Sequence, residues 1–497
     1  MATTMDRSAG FRQRNQKAVV AVIYVCGMLM NSLDSTMVTV AFATLGREFG
    51  RTPEGMQGIL IGYLVSMAMF IPASGWLGDR FGTKRIFLLA LFLFATGSLL
   101  SGLAGSYEQL VLFRIVQGAG GGLLTPVGMA MLYRTYPPEE RVRIARILMF
   151  ATIIGPALGP MVGGLLIERF SWHAIFFVNV PVGIAALLFG GLFLEEHREP
   201  AAGGFDIAGF LLGGFGLASL MFALNQGAQQ GWESRIVVGA LAIGVTLLIV
   251  FVIVELRTSE PMVQLRLFSN RLFRTTAIVS FFSSAAFLGI LFMTPIFLQE
   301  GRGVTPFESG STTFPEALGV VTSTQLVARL YPRIGPRRLM TGGMIGVGLV
   351  AIIMSRLSLE GGPWPVRFLM FSLGVSMAYI FLPNQAASLA TISRSDTGRA
   401  STLFSVQRQI GSATGIALLG SVMAVVGTTI GGAIDGPPNV NAYHAAYLAA
   451  AGVAFVGALF SLRVPDSEAA ATMVTETRRP RRRPGSRSIT RQPSLGD

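Results

Sequence analysis

The chain repeats one unit: a stretch of about twenty mostly apolar residues, long enough to cross the hydrocarbon core of a bilayer as a helix. Fourteen such stretches follow one another, at 18–44, 54–77, 86–104, 108–132, 145–167, 174–194, 205–224, 235–255, 274–298, 308–329, 339–357, 366–392, 401–429 and 440–462. Nothing else in the sequence limits the fold as strongly. A backbone in hydrocarbon must satisfy its own hydrogen bonds, which a helix does within a single segment. The chain therefore reads as an all-α integral membrane protein. Its composition agrees, with 51% hydrophobic and 13% charged residues and a mean hydropathy of +0.58. An average soluble domain is about 25% charged.

The net charge of +13 could suggest a nucleic-acid partner, but its distribution gives another reason. With the N-terminus inside, 30 of the 39 Lys and Arg fall in inner loops and tails, 7 fall outside, and two, Arg114 and Arg408, lie within spans. Basic residues crowd the cytoplasmic side of membrane proteins. Both termini are therefore expected in the cytoplasm, in a multi-pass protein of the cell membrane with no nucleic-acid partner. The N-terminus is polar and basic, and no small-residue cleavage site follows the first apolar run, so that run is expected to stay as a span. The C-terminal "RRPRRRPGSR" combines proline with like charges and is expected to be disordered. Besides its topological role it could bind anionic lipid. Cys26 is the only cysteine, and His173, His197 and His444 form no ligand spacing, so no metal or other cofactor is expected.

The loops contain an internal echo. "GWLGDRFGTKR" (Gly75–Arg85) and "ARLYPRIGPRR" (Ala328–Arg338) match at an offset of 253, pairing Arg80 with Arg333, Gly82 with Gly335, Lys84 with Arg337 and Arg85 with Arg338. "IIGPALG" (Ile153–Gly159) and "QIGSATG" (Gln409–Gly415) match at 256. The expected organisation is an N-tail at 1–17, a six-helix half at 18–200, an inserted helix pair at 201–256, a second six-helix half at 257–463, and a basic tail at 464–497. Related halves rocking about a midplane site are the architecture of secondary transporters.

Ionisable residues inside spans are costly and usually face a bundle interior or a water-filled path. In "MLMNSLDSTMVTVAF" (Met28–Phe42), Asp34 stands in an apolar run with no neutralising neighbour in sequence. An acid there costs about 2.5–3.5 kcal/mol on insertion scales. Arg114, Glu316 and Arg408 stand in three other spans. The polar or small stripes Arg114, Gly118, Gly121, Thr125, Gly128 and Ser401, Ser405, Arg408, Ser412, Gly415 share helix faces with two of them. Asn31, Gln117, Asn384 and Ser388 add polar atoms. We expect one central polar cavity lined by Asn31, Asp34, Gln117, Glu316, Asn384 and Arg408. A carboxylate in such a place loses hydration of its charged form and can exchange a proton in the working range. The stripes read equally as close helix packing, and Arg114 as a donor to backbone carbonyls.

These motifs resemble the major facilitator superfamily. "GWLGDRFGTKR" resembles its signature between spans 2 and 3, and "LVLFRIVQGAGGG" (Leu110–Gly122) its span 4 motif built on Arg-x-x-Gln-Gly. "GPALGPMVGG" (Gly155–Gly164) resembles the span 5 motif associated with exporters. "LDSTMVTVAF" and "SWHAIFFVNVPVG" (Ser171–Gly183) resemble stretches of the fourteen-span drug:proton antiporter branch. His173 stands where that branch usually has Arg, and Phe42-Ala43 replaces its usual Leu-Pro. The resemblance covers the chain apart from its tails. It implies a part in proton coupling for Arg114 and places Asp34 in a branch-wide motif, and with Glu316, an acid inside another span, the expected proton-coupling residues are Asp34, Arg114 and Glu316. It implies a conformational switch at Gly75, Gly78, Asp79, Arg80, Gly82, Lys84 and Arg85. It implies an export hinge at Gly155, Pro156, Gly159, Pro160, Gly163 and Gly164.

Physics gives each motif a local reading. Asp79 could cap a neighbouring helix N-terminus and pair with loop arginines, acting as a latch. Gly155-Pro156 makes span 5 kinkable, and its other glycines offer a small sliding face. The expected function is proton-driven export of hydrophobic, often cationic small molecules by a monomer, without a cofactor. On this reading Asp34 is the stronger candidate for the proton and Glu316 for the cargo. The rivals are export of an endogenous lipid, siderophore or metabolite, and a non-transporting membrane sensor. An ATP-driven pump or enzyme is disfavoured. Neither Lys17 nor Lys84 lies in a phosphate-binding loop, and no zinc-protease or nucleophile-elbow motif occurs.

Overall fold

The computed structural model describes residues 2–50, 56–136, 155, 158–159, 161–198, 204, 206–258, 261, 263–393, 396–427 and 437–473. No β-strand occurs among them. The first half holds α1 (Ala2–Val40), α2 (Phe42–Glu48), α3 (Gln57–Phe70), α4 (Ser74–Phe81), α5 (Thr83–Gly102) and α6 (Tyr107–Thr135). After a helical stretch over 161–169 come α7 (Ala174–Phe177) and α8 (Asn179–Phe193). A pair follows, α9 (Ile207–Gln230) and α10 (Arg235–Arg257). The second half holds α11 (Arg271–Ile296), α12 (Pro306–Thr313), α13 (Pro315–Ile334), α14 (Pro336–Met354), α15 (Pro363–Ser388), α16 (Thr397–Val426) and α17 (Val440–Ser461).

Eleven helices among the described residues are long and apolar enough to cross a membrane. A twelfth span results if α3 and α4, bent by 54°, count as one. Pro72 lies in that break, where a missing amide hydrogen interrupts the helix. These are fewer than the fourteen expected. The stretch expected at 145–167 falls partly outside the described residues. The one expected at 308–329 is divided between α12 and α13, with Pro315 opening the second piece.

The halves repeat one packing scheme. In the first, α5 packs on α6 and α8, α3 on α6, and α1 on α6 and α8. In the second, α14 packs on α15 and α17, α13 on α15, and α11 on α15 and α17. Small residues allow the closest crossings. A methyl group on Gly118 of α6 would strike the backbone carbonyl oxygen of Tyr63 on α3. One on Gly374 of α15 would strike that of Glu316 on α13. Likewise Gly155 and Gly159 abut Ser32 and Thr36 of α1, while Gly411 and Gly415 abut Phe281 and Ala285 of α11.

Equivalent turns open α5 and α14. Gly82 (φ +103°) and Gly335 (φ +85°) precede them, in a region that side chains with a Cβ disfavour. At α5, Glu196 Oε1 accepts from the Lys84 amide at 3.0 Å. At α14, Asp466 Oδ1 accepts from the Arg337 amide at 2.9 Å. In both cases an acid beyond the last helix of the half meets the positive end of a helix dipole. The tail begins later than expected. Residues 464–473 fold back on the second half, with Val464 and Ala469 buried and the Tyr331 hydroxyl 2.7 Å from Thr472 Oγ1. Residues 474–497, which hold the arginine run, lie outside the described residues.

The two halves share apolar core at the end where the chain begins. There Phe273, Leu389, Ala400 and Leu403 of the second half join Tyr24, Leu123, Val127 and Leu132 of the first. The core at the opposite end of the first half, around Met37, Leu45, Met56 and Trp172, takes in only first-half residues among those described. Helix α9 packs on both α3 and α16, bridging the halves, and α10 packs on α9.

Candidate functional site

Asp34 and Arg114 are both fully buried. They form an ion pair through Arg114 Nη1 and Asp34 Oδ2. Arg114 and Gln117 lie three residues apart on α6, so both reach the same side. The Arg114 Nη1 also donates to Gln117 Oε1 at 2.7 Å, and Gln117 Nε2 donates to Asp34 Oδ1 at 2.9 Å. Asn179, at the start of α8, donates to the same Oδ1 at 3.1 Å and to Ser98 Oγ at 3.1 Å. Ser98 Oγ in turn donates to the Phe176 carbonyl at 2.9 Å. The Tyr63 ring lies 4.2 Å from the guanidinium carbon, and the Tyr63 hydroxyl donates to Asn31 Oδ1.

The sequence leaves Asp34 without a neutralising neighbour; the fold supplies one from α6, eighty residues away. A buried charge is tolerated when it is paired and its remaining lone pairs are filled. Both Asp34 oxygens meet that condition. Arg114 Nε and Nη2 find no hydrogen-bond partner among the described residues. The faces of Tyr63 and Phe176 cover the group instead, in cation–π geometry.

Tyr63, Ser98 and Asn179 were not singled out from the sequence. Asn179 does stand in the Ser171–Gly183 stretch. Tyr63 and Ser98 carry no local signal, because each is one polar residue in an apolar helix.

Neither Glu316 nor Arg408 bonds to the Asp34–Arg114 pair among the described residues. Glu316 is buried beside the crossing of α13 with α15. Its carboxyl makes no hydrogen bond or ion pair among the described residues, and Oε1 is fully enclosed. Arg408 on α16 is half-buried, and its electrostatic neighbour is Tyr24 of α1, across the seam between halves. Asn384 on α15 is buried, with Oδ1 unpartnered among the described residues. Gln117 and Asp34 are enclosed in the first half, and Asn31 is tied to Tyr63.

The candidate switch sits at the end where the halves meet. A Cβ on Gly75 would lie 3.4 Å from Thr402 Oγ1 of α16. Gly78 faces Thr83 and Val127. Arg134 Nη2 donates to Asp79 Oδ1 at 2.7 Å, so Asp79 pairs with an arginine at the foot of α6. The helix-capping role suggested for Asp79 is filled at α5 by Glu196. Lys84 Nζ donates to the Gly191 carbonyl at 2.8 Å, Arg85 approaches Glu196 at 3.6 Å, and Arg80 points outward. In the candidate hinge, Gly155, Gly159 and Gly163 face Ser32, Thr36 and Met37 of α1, and Gly164 is buried. Pro156 and Pro160 lie outside the described residues. No group of three or more His, Cys, Asp or Glu suited to a metal ion occurs among the described residues.

The sequence matches a family described as "Major Facilitator Superfamily" over residues 24–416. It is 30% identical over 445 residues to a protein of Escherichia coli O6:H1 named "Putative multidrug resistance protein MdtD", covering 89% of this chain and 94% of that one. A protein of the same name from Klebsiella pneumoniae (strain 342) is 31% identical over 458 residues, covering 92% and 97%. The fold is similar to that of the human organic anion transporter MFSD10 (TETRAN). The TM-score is 0.64 with 17% identity, over 90% of this chain and 99% of that one. At that identity the likeness concerns the fold alone.

Proposed function

The chain belongs to the major facilitator superfamily and is a multi-pass membrane protein, and on that premise we propose that it is a proton-coupled antiporter exporting hydrophobic, often cationic small molecules. We assign it to the fourteen-span branch, in the cell membrane with both termini cytoplasmic. The observation that carries the coupling is a pair of buried carboxyl groups, Asp34 and Glu316, one in each half. The halves share apolar core at the end where the chain begins, while the core at the opposite end of the first half takes in first-half residues alone among those described. An acid enclosed in each half of a bundle that can open at alternate ends is a means of trading protons against cargo. The relatives' names, which refer to multidrug resistance, favour lipophilic drugs as cargo.

In this reading the structure has its cytoplasmic end closed. Asp79–Arg134 and the Gly75–Thr402 approach hold that end, and the glycines facing α1 permit the reverse movement. Reconstitution with an imposed pH gradient tests the reading, with ethidium as probe. Wild-type protein should move ethidium against its gradient only while the pH gradient lasts, and should release protons as it does so. Ethidium movement indifferent to the gradient would overturn the coupling.

A further inference from the structure

Helices α3 and α10 both pack on α9. Between them lies a groove of about 440 Å³ with α9 as its floor. Val65 lines it from α3, Ala218 and Phe222 from α9, and Ile236, Ala240 and Ile243 from α10. Two small neighbours on α10 keep the space open. A Cβ on Gly239 would meet nothing within 4 Å, and Ala240 beside it adds only a methyl group. Ile236 and Ile243 are more than half exposed along the rim, so the groove opens sideways to the membrane.

The groove has a definite depth. Phe222 lies eight residues before the end of α9, Val65 eight after the start of α3, and Ile243 eight after the start of α10. Eight residues of helix are about 12 Å, and half of a bilayer's hydrocarbon core is about 15 Å. The groove therefore runs through most of one leaflet.

At the mouth the chemistry changes. Arg235, the first residue of α10, is exposed and lines the groove. Its guanidinium is charged at any working pH. It forms no ion pair among the described residues, not even with Glu233 two positions earlier. The first amides of a helix have no partner within it, and the Ser234 side chain caps none of those of α10. Trp232, on the same turn, is exposed, and tryptophan at the end of a span favours the level of the lipid headgroups. A cation and a helix N-terminus together attract an anion and repel the cationic molecules proposed as cargo. An apolar chain about one leaflet long below an anionic head satisfies both parts of the groove.

We propose that the groove holds one acyl chain of an anionic phospholipid, with its phosphate at Arg235 and the first turn of α10. The site is separate from the basic C-terminal tail and does not depend on the antiporter reading. Hydrocarbon in the groove makes the dispersion contacts that an unfilled space forgoes. The phosphate oxygens accept charge-assisted hydrogen bonds from the guanidinium. The lipid thereby completes the contact between α3 of the first half and the inserted pair.

The test uses the full chain in phosphatidylcholine vesicles that contain a small share of phosphatidylglycerol with a photoactivatable diazirine on its acyl chain. Peptide mass spectrometry then locates the cross-links. They should concentrate at 218–222 and 236–243, and unlabelled phosphatidylglycerol should compete better than phosphatidylcholine. Gly239→Leu, which fills open space, should reduce labelling there several-fold and leave labelling elsewhere unchanged. Arg235→Gln, an exposed change, should lower the preference for phosphatidylglycerol about fivefold, the scale of one basic residue near an anionic surface. Labelling spread evenly over the exposed helices would overturn the proposal, as would labelling unaffected by Gly239→Leu in protein that keeps its melting temperature. Displacement by ethidium but not by phosphatidylglycerol would also overturn it, since the groove would then take cargo. The readout involves no transport, so failure of the antiporter reading leaves it intact.

Discussion

The two halves of this protein pair the same helices, set a glycine at the same crossing, and cap the same helix with an acid from beyond their last span. They then treat a buried carboxyl in opposite ways. In the first half Asp34 is met by Arg114, Gln117 and Asn179. In the second Glu316 is met by none of the described polar side chains. The comparison separates what builds the scaffold from what equips it. Helix pairing depends on small residues that let backbones approach. Electrostatic character depends on a few neighbouring positions, which can change without disturbing the crossing.

The largest effect should come from breaking the satisfied pair. Arg114→Leu leaves Asp34 buried without its cation, and loss of one partner of a buried pair costs about 3–5 kcal/mol. Thermal unfolding in detergent should show a large drop, and little folded protein should be recovered. An unchanged melting temperature would mean that the pair contributes nothing to the first half. The converse substitution, Met370→Arg, sharpens the contrast by giving Glu316 the arginine that the repeat lacks. Met370 precedes Gly374 by four residues as Arg114 precedes Gly118. Its thermal unfolding in detergent should show a smaller loss than that of Arg114→Leu.

Next come the crossings. Gly118→Ala and Gly374→Ala each drive a methyl group into a backbone carbonyl, and overpacking of this kind costs about 1–3 kcal/mol. Similar destabilisation of the two variants would support the equivalence of the halves, and a clear disparity would break it. Smaller still are the caps. Glu196→Ala and Asp466→Ala should each cost about 1 kcal/mol, the usual scale for losing a helix cap, measured by denaturant unfolding. The smallest stability effect belongs to Asp79→Asn. Its pair with Arg134 is about a quarter exposed on either side, and pairs of that kind contribute about 1 kcal/mol or less. Its signature should be conformational: a cysteine at Thr402, with Cys26 replaced by serine, should label faster when Asp79 is neutralised.

Much of the scaffold could be read in the sequence, because long apolar runs and Gly/Pro punctuation are local properties. The echo at offsets 253 and 256 likewise pointed to registers that recur at Gly118 and Gly374. The site was less legible. Asp34, Arg114 and Glu316 were visible as charges in apolar surroundings, but sequence does not say which charges meet. Gathering them into one cavity presumed that polar groups in different spans converge. The structure ties Asp34 to α6 and α8 within one half, and Glu316 has no bond to that network among the described residues. Asn179 and Ser98 could not be weighed without knowing that α5 and α8 are neighbours. The span count is harder for a related reason. Pro315 and Glu316 interrupt the apolar run at 308–329, and the interruption coincides with the residue of greatest chemical interest.

The inserted pair has a mechanical consequence. Helix α9 touches α3 on one side and α16 on the other, through Leu217 and Met221 against Ala68, Val406 and Ile410. One directional link is described on the loop that follows it, from Trp232 Nε1 to Ser421 Oγ at 2.7 Å. Apolar contacts without fixed geometry can be exchanged for their neighbours at little cost, whereas hydrogen bonds must break before they reform. On the antiporter reading, the pair would work as a greased bearing shared by two moving parts. It would keep the halves aligned as they turn, its seams offering friction rather than a catch.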